Sequence, residues 1–161
     1  MDKLANALIK LLQENARYDI ATLAVLTDST EKEVSKKIAE LEDKGIIVKY
    51  SAILNTEALE ENSVEALIEV KVVPQKLKGF DAFADELSTF NEVKSLYLMS
   101  GNFDLAVFVT GKNITDVSRF VSEKLGVLDG VISVSTHFIL KKYKIEGQVC
   151  KKVTIERQCI L

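Results

Sequence analysis

The spacing of apolar residues changes period once along this chain, from 3.6 near the amino terminus to 2 beyond Val64. Only a helical unit followed by a sheet satisfies both periods. Between residues 2 and 54, Leu4, Leu8, Leu11 and Leu12 recur at helical spacing and give a first helix one buried stripe. A second helix of about two turns restarts at Asp19, an N-cap residue type, and turns Ile20, Leu23, Ala24 and Leu26 inward. The polar run Thr27-Asp28-Ser29 breaks it. Thr30-Glu31-Lys32-Glu33 then has the pattern of a capping box, in which a hydroxyl and a carboxylate satisfy each other's free backbone N–H groups. The helix it opens has Val34, Ile38 and Leu41 on one face and stops at Lys44-Gly45. This arrangement is a helix-turn-helix with a supporting helix in front of it. A three-helix bundle with no DNA role shares the pattern, which alone leaves both open. Ile46 to Leu54 is β-branched and aromatic and reads as a strand or wing.

From Val64, the residues Val64, Ala66, Ile68, Val70 and Val72 alternate with Glu65, Leu67, Glu69 and Lys71, which predicts a strand that Pro74 ends. Phe80, Phe83, Ala84 and Leu87 predict an amphipathic helix. Val93 to Met99 and Asp104 to Thr110 read as strands about a hairpin turn at Ser100-Gly101-Asn102-Phe103. A second helix carries Ile114, Val117, Phe120, Val121 and Leu125, and Val131 to Leu140 is the fourth strand. The order β-α-β-β-α-β is the ferredoxin-like one, so the chain is α+β: residues 1–60 a winged helix-turn-helix with its linker, 61–144 a ferredoxin-like domain, 145–161 a tail. The third strand is apolar on consecutive positions from Leu105 to Val109, so both faces of the sheet need cover, which a homodimer through the sheets supplies; a central strand of a monomer shows the same pattern.

Composition removes other classes. With 47% hydrophobic residues and net charge −3 the chain is neither disordered nor fibrous. No apolar run reaches the roughly 18 residues of a membrane helix and Met1-Asp2-Lys3 opens no signal peptide, so a cytoplasmic protein is expected. Cys150 and Cys159 fit no zinc motif and read as ordinary thiols; no metal site, cofactor or catalytic constellation is expected. His137 reads as an edge-strand or interface histidine. Residues 1–50 carry 8 basic and 9 acidic side chains, residues 51–140 carry 7 and 13, and residues 141–161 carry 6 and 2. No basic field announces nucleic acid, so a DNA role rests on local architecture.

Several stretches carry a resemblance. They are Leu41-Glu42-Asp43-Lys44-Gly45-Ile46-Ile47 with Tyr50, Leu54 and Asn55; Leu98-Met99-Ser100-Gly101-Asn102-Phe103-Asp104; and Gly130-Val131 with Thr136. In this order and spacing the chain resembles the Lrp/AsnC family of bacterial and archaeal transcriptional regulators over residues 2 to 144. The resemblance implies a winged helix-turn-helix joined to a ferredoxin-like effector domain, double-stranded DNA as a partner, and an amino acid or similar metabolite as effector. It also implies homodimers that assemble further, as into octamers. Relatives usually have Gly where this chain has Asp28, and often an acidic residue where it has Asn102. Siroheme decarboxylases share a similar architecture but rely on His and Arg clusters, which one His does not provide; no enzyme is expected.

With Val34, Ile38 and Leu41 inward, the third helix presents Glu31, Lys32, Ser35, Lys36 and Ala39 outward, where a recognition helix meets base edges. Lys37, Arg17 and Lys49 are candidates for phosphate contacts. Carried over by motif, the effector pocket would be built around Ser100, Gly101, Asn102 and Asp104, with Thr136 on the adjacent strand. A zwitterion suits such a loop, because its carboxylate takes N–H or hydroxyl donors and its ammonium takes the Asp104 carboxylate; a plain hairpin turn, with Asp104 capping its own backbone, fits the same residues. The acidic start of the recognition helix leaves an alternative: an effector-independent architectural or interaction protein of low DNA sequence specificity. For the tail, an edge strand, a frayed end and a lysine patch remain open.

Overall fold

The computed structural model describes residues 2–56, 59, 63–73 and 79–150, and the structure below is that of these residues. The chain divides into two compact units, Met1–Leu54 and Asn55–Leu161.

The first unit is three helices, α1 (Lys3–Glu14), α2 (Ile20–Thr27) and α3 (Glu31–Asp43). Leu8, Leu23, Ala24 and Val34 form its buried centre, with Leu4, Leu11, Leu12, Tyr18, Ile20 and Ile38 packed around them. Each helix opens on a side-chain cap that satisfies an otherwise orphaned donor. Asp2 accepts from the Ala5 N–H at 2.7 Å and Asp19 from the Thr22 N–H at 2.7 Å. The capping box of α3 is complete: the Thr30 N–H donates to Glu33 Oε2 at 2.9 Å, and the Glu33 N–H donates to Thr30 Oγ1 at 3.3 Å.

The turn between α2 and α3 depends on Asp28, which lies in the left-handed region at φ 51°, ψ 49°. There the Asp28 N–H reaches the Val25 carbonyl at 3.3 Å and the Ser29 N–H the Ala24 carbonyl at 3.0 Å. This is the closure that glycine usually supports, and Asp adopts it at modest cost. Gly45, φ 65°, closes α3 likewise, with its N–H on the Glu42 carbonyl and the Ile46 N–H on that of Leu41, both at 2.9 Å.

Two expectations fail in this unit. Leu26 is 53% exposed, because the inward face of α2 runs through Ile20, Leu23 and Ala24 and position 26 falls off that stripe. Ile46–Leu54 forms no strand either. β-branched residues favour a pleated ribbon only where a neighbour offers hydrogen bonds, and every strand among the described residues lies in the second unit. Val48, Tyr50, Ile53 and Leu54 are consequently left exposed.

The second unit orders as β1 (Val64–Val72), α4 (Asp81–Ser88), β2 (Val93–Leu98), β3 (Leu105–Gly111), α5 (Ile114–Arg119) and β4 (Val131–Phe138). The antiparallel sheet has strand order β2-β3-β1-β4, the ferredoxin-like arrangement. α5 runs on into a π-helical stretch, Phe120–Leu125, so the predicted second helix is one element with two windings. A short hairpin, β5 (Lys144–Ile145) with β6 (Gln148–Val149), turns on Glu146 and Gly147, both at positive φ. β4 stops two residues before the predicted Leu140. Pro74, Lys151, Lys152, Arg157 and Cys159 lie outside the described residues; Cys150 carries a free, half-buried thiol.

Alternation decides which face is core. Ala66, Ile68, Val70 and Val72 of β1 and Leu105, Val107 and Val109 of β3 are buried with Phe83, Leu87, Val117, Phe120 and Leu125. Cross-strand partners share a face, so the other face carries Glu65, Leu67, Glu69 and Lys71 beside Ala106, Phe108 and Thr110. Only its middle is apolar: Tyr97 meets Phe108 edge-on, ring centres 6.0 Å apart, with Leu67 opposite Phe108. Its flank is polar. His137 Nε2 lies 3.4 Å from Glu69 Oε1 and 3.3 Å from Ser135 Oγ.

Removing one cap tests the local account. Thr30→Ala should lower stability by about 1 kcal/mol, read as a shifted denaturation midpoint with an unchanged m-value. Acid should act on the same feature. The Ala5 N–H holds Asp2, the Thr22 hydroxyl and N–H hold Asp19, and the Thr30 N–H holds Glu33 below their ordinary values of 3.8, 3.8 and 4.5. A carboxylate with a depressed folded pKa contributes stability that is complete above its unfolded value and lost as pH falls through the folded one. The three-helix unit should therefore lose stability from about pH 4.5 downward, followed by circular dichroism melts.

Candidate DNA-reading face and effector loop

The capping box fixes where α3 starts, and the start fixes which residues face outward. Val34 and Leu41 are buried and Ile38 is half-buried, so Glu31, Lys32, Ser35, Lys36 and Ala39 fall on the solvent side, all exposed. Lys32 and Lys36 are four apart on one face with Ser35 beside them. Glu33, one position from that face, is engaged in its cap. Glu31 and Glu33 stand at the positive end of the helix dipole, which stabilises α3 but places negative charge near any approaching phosphate.

The three predicted phosphate contacts separate. Lys37 turns its ammonium onto Asp2 Oδ2 at 2.9 Å and Glu40 Oε2 at 2.7 Å, and hydrogen bonds to these carboxylates raise its pKa. It clamps the start of α1 to α3. Arg17 and Lys49 are exposed and lie along the surface between the end of α1 and residues 46–53. Tyr50 donates its hydroxyl to Glu42 Oε1 at 2.9 Å, tying this segment to the end of α3; partial burial, then the carboxylate, push its phenol up to about 12. Lys37–Glu40 is an ordinary i, i+3 pair, but the Asp2–Lys37 and Tyr50–Glu42 contacts follow no helical spacing and are not visible in the sequence.

The loop Ser100–Phe103 closes the β2–β3 hairpin. The Met99 N–H donates to the Asp104 carbonyl at 2.8 Å, and Gly101 takes φ 151°. Ser100, Gly101 and Asn102 are exposed. Asp104 does more than decorate the loop. Its own N–H donates to the Val70 carbonyl at 3.0 Å, and its Oδ2 accepts from the Val72 N–H at 2.9 Å. The β1–β3 ladder ends at Val70–Leu105, so the carboxylate replaces the acceptor that strand β3 no longer offers. Asp104 Oδ1 accepts no hydrogen bond among the described residues and is available to a cation.

Thr136 stands elsewhere than expected. β1 separates β4 from β3, and Thr136 pairs with Ile68 rather than with the loop's own strand. It is thus two strand spacings across, roughly 10 Å, and about three residues along, another 10 Å or so. It also shares a face with the buried Ile68. One chain does not bring Thr136 to the loop; the motif spacing carried no information about strand order, which is what sets this distance.

A capped helix-turn-helix joined to a ferredoxin-like domain with an exposed glycine hairpin is the architecture of a DNA-binding regulator that senses a small ligand. Comparison with known proteins agrees. Residues 65–149 match the family model described as the Lrp/AsnC ligand binding domain. The uncharacterized HTH-type transcriptional regulator YugG of Bacillus subtilis is 44% identical over 88% of this chain and 86% of its own length. The HTH-type transcriptional regulator LrpA of Pyrococcus abyssi is 31% identical over 89% of this chain and 99% of its own. Among solved structures, the transcriptional regulator NMB0573 of Neisseria meningitidis, in complex with L-Met, superposes with TM-score 0.70 at 26% identity, covering 90% of this chain and 93% of that one. The chain belongs to the Lrp/AsnC family: it is a DNA-binding transcriptional regulator with an effector domain.

The double duty of Asp104 separates its structural from its charge role. Asp104→Ala orphans the N–H of the buried Val72 and should cost about 1–3 kcal/mol. Asp104→Asn keeps an acceptor and should cost well under half of that, while removing the charge an ammonium would seek. Chemical denaturation of both variants checks the ordering.

Proposed function

We propose that α3 reads operator DNA through Lys32, Ser35, Lys36 and Glu31, and that an amino acid bound at the Ser100–Asp104 loop adjusts assembly or the placement of the reading helices. One observation carries the first part: the completed capping box and the buried Val34 and Leu41 leave those four side chains facing solvent on a helix that follows a tight turn. Lysine donates to guanine O6 and N7 or holds phosphate, serine serves either, and Glu31 accepts from a cytosine amino group. Arg17 and Lys49 supply backbone contacts, and Lys37 contributes field more than contact because its ammonium is shared with two carboxylates.

Two features support a homodimer. The outer sheet face has an apolar centre of Leu67, Tyr97, Ala106 and Phe108, and residues 46–54 hold a strand-forming composition with no strand to pair with. Both are resolved by a second copy. Two reading helices then address half-sites about one helical turn apart, which compensates for the few lysines on each. The separation of Thr136 from the loop favours an effector site completed between neighbouring chains, and with it a higher assembly such as an octamer. An amino acid fits the loop, its ammonium on Asp104 Oδ1 and its carboxylate at the backbone of Ser100, Gly101 and Asn102; the L-Met complex of the Neisseria relative supports this class. No helix among the described residues is long and apolar enough to cross a membrane, and we place the protein in the cytoplasm, acting without catalysis.

Selection of bound duplexes from a random pool, repeated with a panel of amino acids, tests the reading. Lys32→Ala with Lys36→Ala should weaken operator binding by about tenfold or more and flatten its salt dependence, at unchanged assembly. Unaltered affinity moves the reading surface away from α3. Binding indifferent to sequence in the parent protein instead defines an architectural protein. Ser100→Ala with Asn102→Ala should abolish the response to whichever amino acid acts, measured by gel shift and light scattering.

A further inference from the structure

The second unit contains a cleft of about 410 Å³ that neither the reading helix nor the effector loop uses. It lies where β3 ends and β2 begins, covered by α5 and its π-helical continuation. The effector loop joins the same two strands at their other ends. Seven residues of β3 intervene, roughly 20 Å of strand, so the two places are distinct.

The cleft is built from two kinds of surface. Val109, Val117 and Phe120, each only 2–3% exposed, lie at its base, and its walls are charged. On the helical side Lys124 is held in place: its ammonium lies 2.6 Å from Glu92 Oε1 and 5.2 Å from the centre of the Phe90 ring. Asp116 and Arg119 face each other at 3.9 Å. On the strand side, Lys112 has no ion-pair partner among the described residues, and Lys94 makes only a 3.4 Å contact with the Asn91 carbonyl. Of the carboxylates lining the cleft, Glu123 alone is without a cation within ion-pair distance among the described residues. The surplus in the cleft is therefore positive and concentrated at Lys94 and Lys112, beside an aromatic and aliphatic floor.

The helix covering the cleft has an unusual winding. Gly126 bonds back five residues to the Val121 carbonyl at 2.7 Å, and the widened turn carries Phe120 of the base and Glu123 and Lys124 of the walls. π-helical turns cost stability and recur at functional sites. Gly111 keeps strand and helix close, because a Cβ there would lie 3.0 Å from Val117 Cγ2.

We propose that this cleft binds an amphipathic monocarboxylate, its carboxylate between Lys94 and Lys112 and its apolar body on Val109, Val117 and Phe120. The volume falls within the range of small-molecule sites, and a carboxylate flanked by two ammonium groups beside a low-dielectric floor forms charge-assisted hydrogen bonds. A second carboxylate on the ligand would meet Glu123, which selects against diacids. This assignment does not rest on the amino acid proposed for the effector loop.

Isothermal titration of the full chain with 3-phenylpropanoate tests it. Binding is expected with a dissociation constant of about 1 mM or tighter, against none for 3-phenylpropylamine or 3-phenylpropanamide. Lys94→Ala with Lys112→Ala, both at exposed positions, should weaken binding by about tenfold or more, and Lys94→Arg with Lys112→Arg should retain most of it. Ser100→Ala with Asn102→Ala in the effector loop should leave the affinity for 3-phenylpropanoate as it was. The proposal is overturned by the absence of heat at several millimolar, by equal affinity for the amine, by indifference to the alanine pair, or by loss of binding in the loop variant.

Discussion

Two ladders meet on one strand, and most of the second unit follows from that. β1 pairs with β3 on one side and β4 on the other, while Ala66, Ile68, Val70 and Val72 are buried beneath α4 and α5. A strand so placed has no freedom of register, since a slip of one residue would carry four core side chains into solvent and Glu65, Glu69 and Lys71 into the core. Where the ladder to β3 runs out, the Asp104 carboxylate completes it at Val72. On the other side the register shifts between Lys71 and Val72, leaving Ile132 of β4 as the extra, exposed residue. The Ser100–Phe103 hairpin joins β3 to the edge strand β2, and Asp104 ties its base to β1 through the Val70 carbonyl and the Val72 N–H.

The first unit is held differently. Its core is small, six buried side chains (Ala5, Leu8, Leu23, Ala24, Val34 and Leu41) with a half-buried ring around them, and its definition comes largely from the ends of its helices. Caps at Asp2, Asp19 and Thr30 and closures at Asp28 and Gly45 satisfy groups that a short helix otherwise leaves to water. The Asp2–Lys37–Glu40 clamp joins the first cap to α3.

Much of this was legible from residue patterns. The capping box was readable because it is local, four residues long and chemically specific. Asp28 at positive φ follows from the resemblance, since relatives usually have Gly there and an Asp side chain tolerates that region. The strand alternation from Val64 gave the core face directly. The failures share a cause. Residues 46–54 have strand chemistry but lack a neighbour in one chain, Leu26 was assigned inward from apolarity rather than angle, and Thr136 was placed beside the loop without knowledge of which strand lies between. The cleft beneath the π-helical turn was invisible, because Lys94, Lys112 and Lys124 are scattered in sequence and individually ordinary.

Local periodicity and end chemistry thus belong to the amino-acid order alone: the three helices of the first unit and where they begin, the β-α-β-β-α-β order of the second, and which side of α3 stays wet. These depend on interactions within a few residues or on the choice between water and an apolar interior, and both are written into side-chain type. Strand order, the partner of Asp104, the fate of Lys37 and the cleft at the far end of β3 depend on which distant segments meet. That choice is made by the packing of the whole unit, where many weak contacts act together, and only the folded chain displays it.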